Sequence, residues 1–380
     1  MSSFSPTVQQ QAAIGCDNSV VITACPGSGK TTVMKEKIRK ITPELPSHKG
    51  VIAITFTKKA SEELKKKCKE NAHDTKRSYF GTINSYCLNE LIMPFLARIW
   101  GGSPPDCQIV KSLDSHQKLY LSKQYSSPTL DELVSDSGFK NLYDNGILWM
   151  SSFSALSLLI LQSSVSAQRY IKARYSHVFI DEYQDSSEPQ HELFIQLFKL
   201  GLIATAVGDV DQSIFRFRGS EPKFLVELTK DTTNFSHFKL DINHRCHPSI
   251  VNYASRVLDP DYQLIPHEDD IRVYRRLING NLKNAAATLA TWIADWLKSG
   301  NPEHASGVAI LAKKSNSLIE FSAGFGLEHR LYTDTPLNDI GTGCAEIYSD
   351  LLFYKYKTIP TAQTLLKNIR CSFVHTMLLS

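Results

Sequence analysis

Near the N-terminus an apolar run, Val20-Val21-Ile22-Thr23, leads into Ala24-Cys25-Pro26-Gly27-Ser28-Gly29-Lys30-Thr31-Thr32, and a periodic apolar segment follows over residues 33–41. No other stretch constrains the fold as sharply. The run reads as a buried strand, the middle as a glycine-rich turn and residues 33–41 as a helix. A strand, a turn and a helix N-terminus in that order make an anion cradle, because turn N–H groups and the helix dipole both face a phosphate. Gly27 and Gly29 let the backbone curl without a Cβ clash, with Ser28 between them. Lys30 brings a cation to the terminal phosphates, and the Thr31 hydroxyl is placed to ligate Mg²⁺, with Thr32 next along the same turn. Motif and context agree. The expectation is a site for ATP or another NTP with Mg²⁺, against the alternative of a fortuitous glycine loop.

At 380 residues the chain is long enough for two or three domains, and its 42% hydrophobic and 21% charged content is that of a globular protein. The net charge is only +4, so a nucleic-acid surface has to come from local clustering. Lys58-Lys59, Lys65-Lys66-Lys67 and Lys69 form one such cluster, which charge alone leaves open between a solvated helix face and phosphate contacts. Eight cysteines without a Cys-x-x-Cys pair fit neither a zinc site nor a disulfide framework, so reduced thiols in the cytoplasm are expected. Residues 1–6 lack the charged and apolar blocks of a signal peptide, and the apolar stretch 155–165 is too short to span a bilayer. No membrane association is expected.

Val178-Phe179-Ile180-Asp181-Glu182 reads as a strand ending in two carboxylates. In an open α/β sheet, strand C-termini lie on the ligand side, so both can face the glycine-rich loop. Asp181 would hold Mg²⁺, and Glu182 would orient or deprotonate the attacking water. A third strand, residues 202–207, ends in Gly208-Asp209-Val210-Asp211-Gln212-Ser213. Gln212 suits sensing of the γ-phosphate or the water, because an amide both donates and accepts. Beyond it, Ile214-Phe215-Arg216-Phe217-Arg218-Gly219 alternates aromatics with arginines, suited to stacking on unpaired bases or else to packing in a core.

Together these segments resemble the UvrD/Rep type of superfamily-one DNA helicases over most of residues 1–258, with the motifs in the family's order. Gln9-Gln10-Gln11 resembles the glutamine motif that reads adenine, with Gln10 the reader and Gln9 the alternative. Val51 to Ala60 looks like the first DNA-contact motif, which implies that Phe56, Thr57 and Lys58 touch single-stranded DNA. Gly81-Thr82-Ile83-Asn84-Ser85-Tyr86 resembles the next one, assigning Thr82 and Asn84 to DNA. Asp181-Glu182-Tyr183-Gln184-Asp185 is close to the family's metal and general-base motif. Residues 208–219 resemble its glutamine sensor and base-stacking motif, which would place Phe215, Phe217 and Arg218 along DNA. Asn243-His244-Arg245 resembles the segment whose arginine contacts the γ-phosphate. The resemblance implies a DNA-dependent, ATP-hydrolysing helicase moving 3′ to 5′. It also implies a RecA-like P-loop domain, a mainly parallel sheet flanked by helices, from residues 1–100 and 168–260. A small helical insertion would occupy 101–167 and an incomplete second RecA-like domain 261–380.

Several positions depart from the family. An arginine and a tyrosine usually sandwich the base where this chain has Thr32 and His244, which puts base stacking and nucleotide selectivity in doubt. Ile83 and Asn84 stand where a phenylalanine and a histidine are usual, and Phe217 replaces a stacking tryptophan. In the C-terminal part, residues 271–277 and 308–312 read as strands, and 282–297 and 315–325 as helices. The two later motifs, including the arginine finger, have no counterpart before Ser380, since the neighbours of Arg370 do not match the finger. The short insertion, Glu90-Leu91-Ile92-Met93-Pro94-Phe95 and Thr335-Pro336-Leu337 resemble the helicase-like B subunits of Gabija anti-phage systems. That likeness implies an OLD-type nuclease partner (GajA-like) in a hetero-oligomer, and a role in sensing DNA ends or single strands. A non-translocating subunit that binds DNA or the nuclease, and a housekeeping repair helicase, are the alternatives.

Overall fold

The computed structural model describes residues 5–102, 104, 106–212, 222–300 and 302–331. The chain divides into two compact units, residues 1–273 and 274–380. Eight strands occur among the described residues of the first: β1 (Val20–Ala24), β2 (Gly50–Ile54), β3 (Tyr79–Gly81), β4 (Gln108–Val110), β5 (Ile147–Trp149), β6 (Tyr175–Ile180), β7 (Ile203–Gly208) and β8 (Ser236–Leu240). Six of them form one sheet in the order β3-β2-β6-β7-β1-β8, and every pairing in it is parallel. This is the α/β, RecA-like arrangement that the family resemblance implies.

A parallel sheet needs helices on both faces, so its strands are apolar at every position rather than at every second one. In β2 all five residues are buried. Val51 and Ala53 point to one face, where Met34, Ile38, Leu64 and Phe179 complete a cluster with the Lys30–Ile41 and Lys58–Cys68 helices. Ile52 and Ile54 point to the other, into a larger core with Leu156, Ile160 and Leu193 from the Phe153–Ser163 and Glu188–Lys199 helices. Because all six strands run the same way, the segments leaving β1, β2, β6, β7 and β8 emerge at one edge. That edge collects the chemistry.

The segment 101–167 is not purely helical. Besides the Leu130–Ser135 and Gly138–Asp144 helices it contains a parallel β4–β5 pair, in which Gln108 lies opposite Ile147. Its apolar residues, among them Leu133, Phe139, Leu148 and Trp149, belong to the same core as the sheet. The apolar stretch at 155–165 corresponds to the Phe153–Ser163 helix, which is buried in this core. No single helix among the described residues is long and apolar enough to cross a membrane. The six described cysteines, Cys16, Cys25, Cys68, Cys87, Cys107 and Cys246, are free thiols.

The described part of the second unit holds two helices, Leu282–Lys298 and Ser315–Ser322, packed through Ala286, Ala290, Ile293 and Phe325. Here two expectations fail. Residues 271–277 and 308–312 form no strand. Val308 and Ile310 lean on the helices. Ile271 is 60% exposed and Leu311 93%, so neither segment has the two-sided cover that a parallel strand requires. The Thr335-Pro336-Leu337 segment and Arg370 lie outside the described residues.

His177 on β6 sits against Phe179, with its Nδ1 2.8 Å from Ser176 Oγ. Burial, reinforced by the Lys37 ammonium, pushes its pKa down to about 4. A histidine depressed in the folded state costs stability progressively as pH falls from about 6.5 to about 4, the window in which the unfolded chain takes up a proton that the folded chain does not. Acidification from pH 7 to pH 5 should therefore cost about 2 kcal/mol more in the parent chain than in His177→Gln, read from denaturant melts at both pH values.

Candidate nucleotide and DNA site

The loop after β1 is held from three sides. Ser28 donates its Oγ–H to Cys25 O at 2.8 Å, and Cys25 donates its N–H to Leu240 O at the end of β8 at 2.9 Å. Gly27 (φ 71°) and Gly29 (φ 82°) both occupy the left-handed region. A Cβ on Gly27 would lie 2.7 Å from Asn243 Oδ1, and one on Gly29 2.9 Å from Gln10 Nε2. The first helical bond of the Lys30–Ile41 helix runs from Val33 N–H to Gly29 O at 2.9 Å, so the N–H groups of Lys30, Thr31 and Thr32 precede the helical ladder. Gly29→Ala combines left-handed strain of about 1–2 kcal/mol with displacement of Gln10. It should weaken nucleotide binding by roughly tenfold or more in a titration with a fluorescent nucleotide.

Two carboxylates, Glu182 after β6 and Asp209 after β7, lie close to Lys30. Its Nζ lies 3.4 Å from Glu182 Oε2 and 3.9 Å from Asp209 Oδ2. Asp181 donates its N–H to Ile54 O of β2 at 2.9 Å, and Glu182 donates its N–H to Asp181 Oδ1 at 3.0 Å. Gln212 Nε2 donates to Asp209 Oδ2 at 2.6 Å, which brings it to the same cluster. Glu182 itself has φ 51°, an uncommon conformation for a residue with a Cβ and one that recurs at functional sites. Loss of solvent, and then the Glu182 charge, push the Asp181 carboxyl up to about 6. The same two causes raise Asp185 to about 6, while burial raises Asp209 against the opposing Lys30 ammonium.

A divalent cation would relieve this crowding of negative charge. The hard oxygen donors of Thr31 and Asp181 fit Mg²⁺, which is typically held by one or two protein groups plus phosphates and water. Among the described residues no three His, Cys, Asp or Glu side chains form a ready-made metal cage, and a phosphate-shared Mg²⁺ needs none.

Gln10 is buried and caps its own helix. Its Oε1 accepts from Thr7 N–H and its Nε2 donates to Ser28 O, both at 2.9 Å, so its amide is turned onto the phosphate loop. Gln9 is exposed. The helix carrying both is pinned to the Lys30–Ile41 helix at its C-terminus. Lys37 Nζ donates to Ala13 O at 3.1 Å and to Cys16 O, and Lys40 Nζ donates to Gly15 O at 3.0 Å. His244 donates its N–H to Gly27 O at 2.9 Å, which sets His244 and Arg245, both exposed, beside the loop.

Besides Asp209, two contributors were not singled out from the residues. Gln184 is buried and bridges Glu182 to Asp209. Asn243 Oδ1 accepts the N–H groups of Arg245 and Cys246, each at 2.8 Å, and shapes the turn that meets Gly27. An Asn opening a turn is the signal for the second. For Gln184 the only hint is its place two residues after Glu182.

On the side facing the insertion, Thr57 caps the Lys58–Cys68 helix (Ala60 N–H to Oγ1, 3.1 Å) and Thr82 caps the turn that starts at Ile83. Phe56 is exposed, and so are Lys58, Lys59, Lys65, Lys66 and Lys69, whereas Lys67 pairs with Glu63 at 2.6 Å. A cavity of about 420 Å³ joins Phe56, Thr82 and Asn84 to Asp181, Glu182 and Asp185. Phe56, Thr82 and Asn84, expected on DNA, thus share a wall with Asp181 and Glu182, expected at the nucleotide. Phe215, Phe217 and Arg218 lie outside the described residues.

Comparison with known proteins gives this arrangement a family. A profile described as the UvrD/REP helicase N-terminal domain matches residues 6–135 and 106–233. The chain belongs to the UvrD/REP helicase family. It is 31% identical over 256 residues to the Gabija protein GajB of Bacillus cereus (strain VD045), covering 67% of this chain and 49% of that protein. It is 26% identical over 315 residues to the ATP-dependent DNA helicase Rep of Buchnera aphidicola subsp. Schizaphis graminum, covering 71% and 47%. With the ATP-dependent DNA helicase PcrA of Bacillus subtilis the identity is 25% over 297 residues, covering 68% and 40%. The chain spans about half the length of the curated relatives it matches.

Proposed function

We propose that this UvrD/REP family chain is the DNA-dependent, nucleotide-hydrolysing subunit of an anti-phage defence complex. In this reading it senses single-stranded or end-containing DNA and regulates a partner nuclease of the OLD type. The observation that carries the hydrolytic part is the Lys30 ammonium poised between Glu182 and Asp209 at the sheet edge. An incoming triphosphate competes for that ammonium and frees Glu182 to accept a proton from the attacking water. Gly27, Ser28, Gly29, Lys30, Thr31 and Thr32 cradle the phosphates. Gln212 and Arg245 stabilise the γ-phosphate, and Gln10 and His244 border the base. Bound Mg²⁺, held by Thr31 and Asp181, would neutralise developing phosphate charge.

Phe56, Thr57, Lys58, Thr82 and Asn84 form the DNA side, and the shared cavity supports coupling between the two ligands. The likeness to GajB supports the defence role and the nuclease partner. Phosphate release by the purified chain should rise when single-stranded DNA is added, and the chain should co-elute with a GajA-like nuclease from the same genome. Background hydrolysis with nuclease binding intact would instead mark a non-translocating binding subunit. Strand unwinding without any nuclease association would mark a repair helicase.

A further inference from the structure

Gln184 occupies a position that neither the phosphate loop nor the DNA wall accounts for. It lies in the one-turn 3-10 segment Tyr183–Asp185, directly after Glu182, and is 2% exposed. Its amide is used at both ends. Nε2 donates to Glu182 Oε2 at 2.9 Å, and Oε1 accepts from Asp209 N–H, just past the end of β7, at 2.9 Å. The neighbouring strand is cut away to admit it, since a Cβ on Gly208 would stand 2.6 Å from Gln184 Oε1. Tyr183 anchors the same turn from behind through its OH, 2.8 Å from His191 Nδ1. Asp209 in turn holds Gln212. A continuous chain of hydrogen bonds therefore runs from Glu182 through Gln184 and Asp209 to Gln212.

We propose that Gln184 is a positioning residue: a buried amide strut that orients the Glu182 carboxylate and ties its position to the Asp209–Gln212 turn. This deepens the hydrolytic reading above and rests on it. A carboxylate left in the left-handed turn without that donor keeps several orientations, of which few can take a proton from water in line with the γ-phosphate. An amide suits the role because it donates to a carboxylate and accepts a backbone N–H at once, which no carboxylate or aliphatic side chain does at neutral pH. The strut gives the turn after β7 a direct mechanical line to the base, so a shift at Gln212 reaches Glu182 without crossing the nucleotide.

Gln184→Met keeps length and volume and removes both bonds. In steady-state hydrolysis with single-stranded DNA, kcat should fall at least tenfold while KM for the nucleotide stays within about threefold. Hydrogen exchange at the Asp209 amide should quicken in the same variant. Should the methionine variant fail to fold, Gly208→Ala displaces the same amide from the opposite strand and should give the same split. An unchanged kcat, or a fall in kcat matched by a proportional rise in KM, overturns the strut. If the parent chain itself shows no hydrolysis, the hydrolytic reading fails instead, and the strut is judged by exchange alone: an Asp209 amide that exchanges no faster in the variant overturns it.

Discussion

Glu182→Gln should lower DNA-stimulated phosphate release by about 10²–10⁴-fold, the usual contribution of a positioned general base. Nucleotide binding should survive the change. The amide is nearly isosteric, keeps an oxygen toward Lys30 and removes one negative charge from a cluster that already crowds Asp181. The variant should therefore bind nucleotide at least as tightly as the parent and trap the unhydrolysed complex. The check is a rapid-mixing measurement of bound nucleotide beside a phosphate-release assay. Loss of binding together with hydrolysis would move Glu182 from a catalytic to a structural role.

Lys30→Ala should act differently, removing binding and turnover together. The ammonium is largely buried between two carboxylates at the loop after β1. Without it, a triphosphate would have to approach Glu182 and Asp209 uncompensated. Losing one such electrostatic contact in a shielded site typically costs about 10²–10³-fold, and repulsion adds to that loss. Binding isotherms with a labelled nucleotide and Mg²⁺ read the effect directly. The melting temperature without nucleotide is the control, and it should fall only modestly: solvent screens partly exposed Glu182, while buried Asp209 loses its nearby cation and can take up a proton.

How much of this was legible beforehand follows from the range of the interactions. The phosphate loop, the strand ending in Asp181 and the parallel sheet are local patterns of apolar runs, glycines and chain order. The expectation that Lys30, Glu182 and Gln212 share one sheet edge rests on one rule about strand C-termini, whereas Asp209 was not singled out. Gln184 was missed because its function depends on β7 lying beside β6, and nothing in the spacing of Asp181-Glu182-Tyr183-Gln184 announces a partner at Asp209. The β4–β5 pair was missed because strands of three residues carry too short a pattern to stand out from a loop. The opposite error occurred at 271–277 and 308–312. There alternation and apolarity were real, but a strand exists only with a neighbour to bond to, and composition does not supply one. Gln10 shows a third case. Gln10 is the residue expected to read adenine, yet its amide is committed to Thr7 and Ser28, so that role requires one of those bonds to yield.

The most direct test is a crystal structure of the chain with Mg²⁺ and a non-hydrolysable ATP analogue. The account predicts the β- and γ-phosphates on the N–H groups of residues 27–32, Lys30 Nζ moved from Glu182 onto phosphate, and Mg²⁺ about 2.1 Å from an oxygen of Thr31 or Asp181. A triphosphate bound away from that sheet edge, or seated there with Asp181 and Glu182 facing elsewhere, would contradict it.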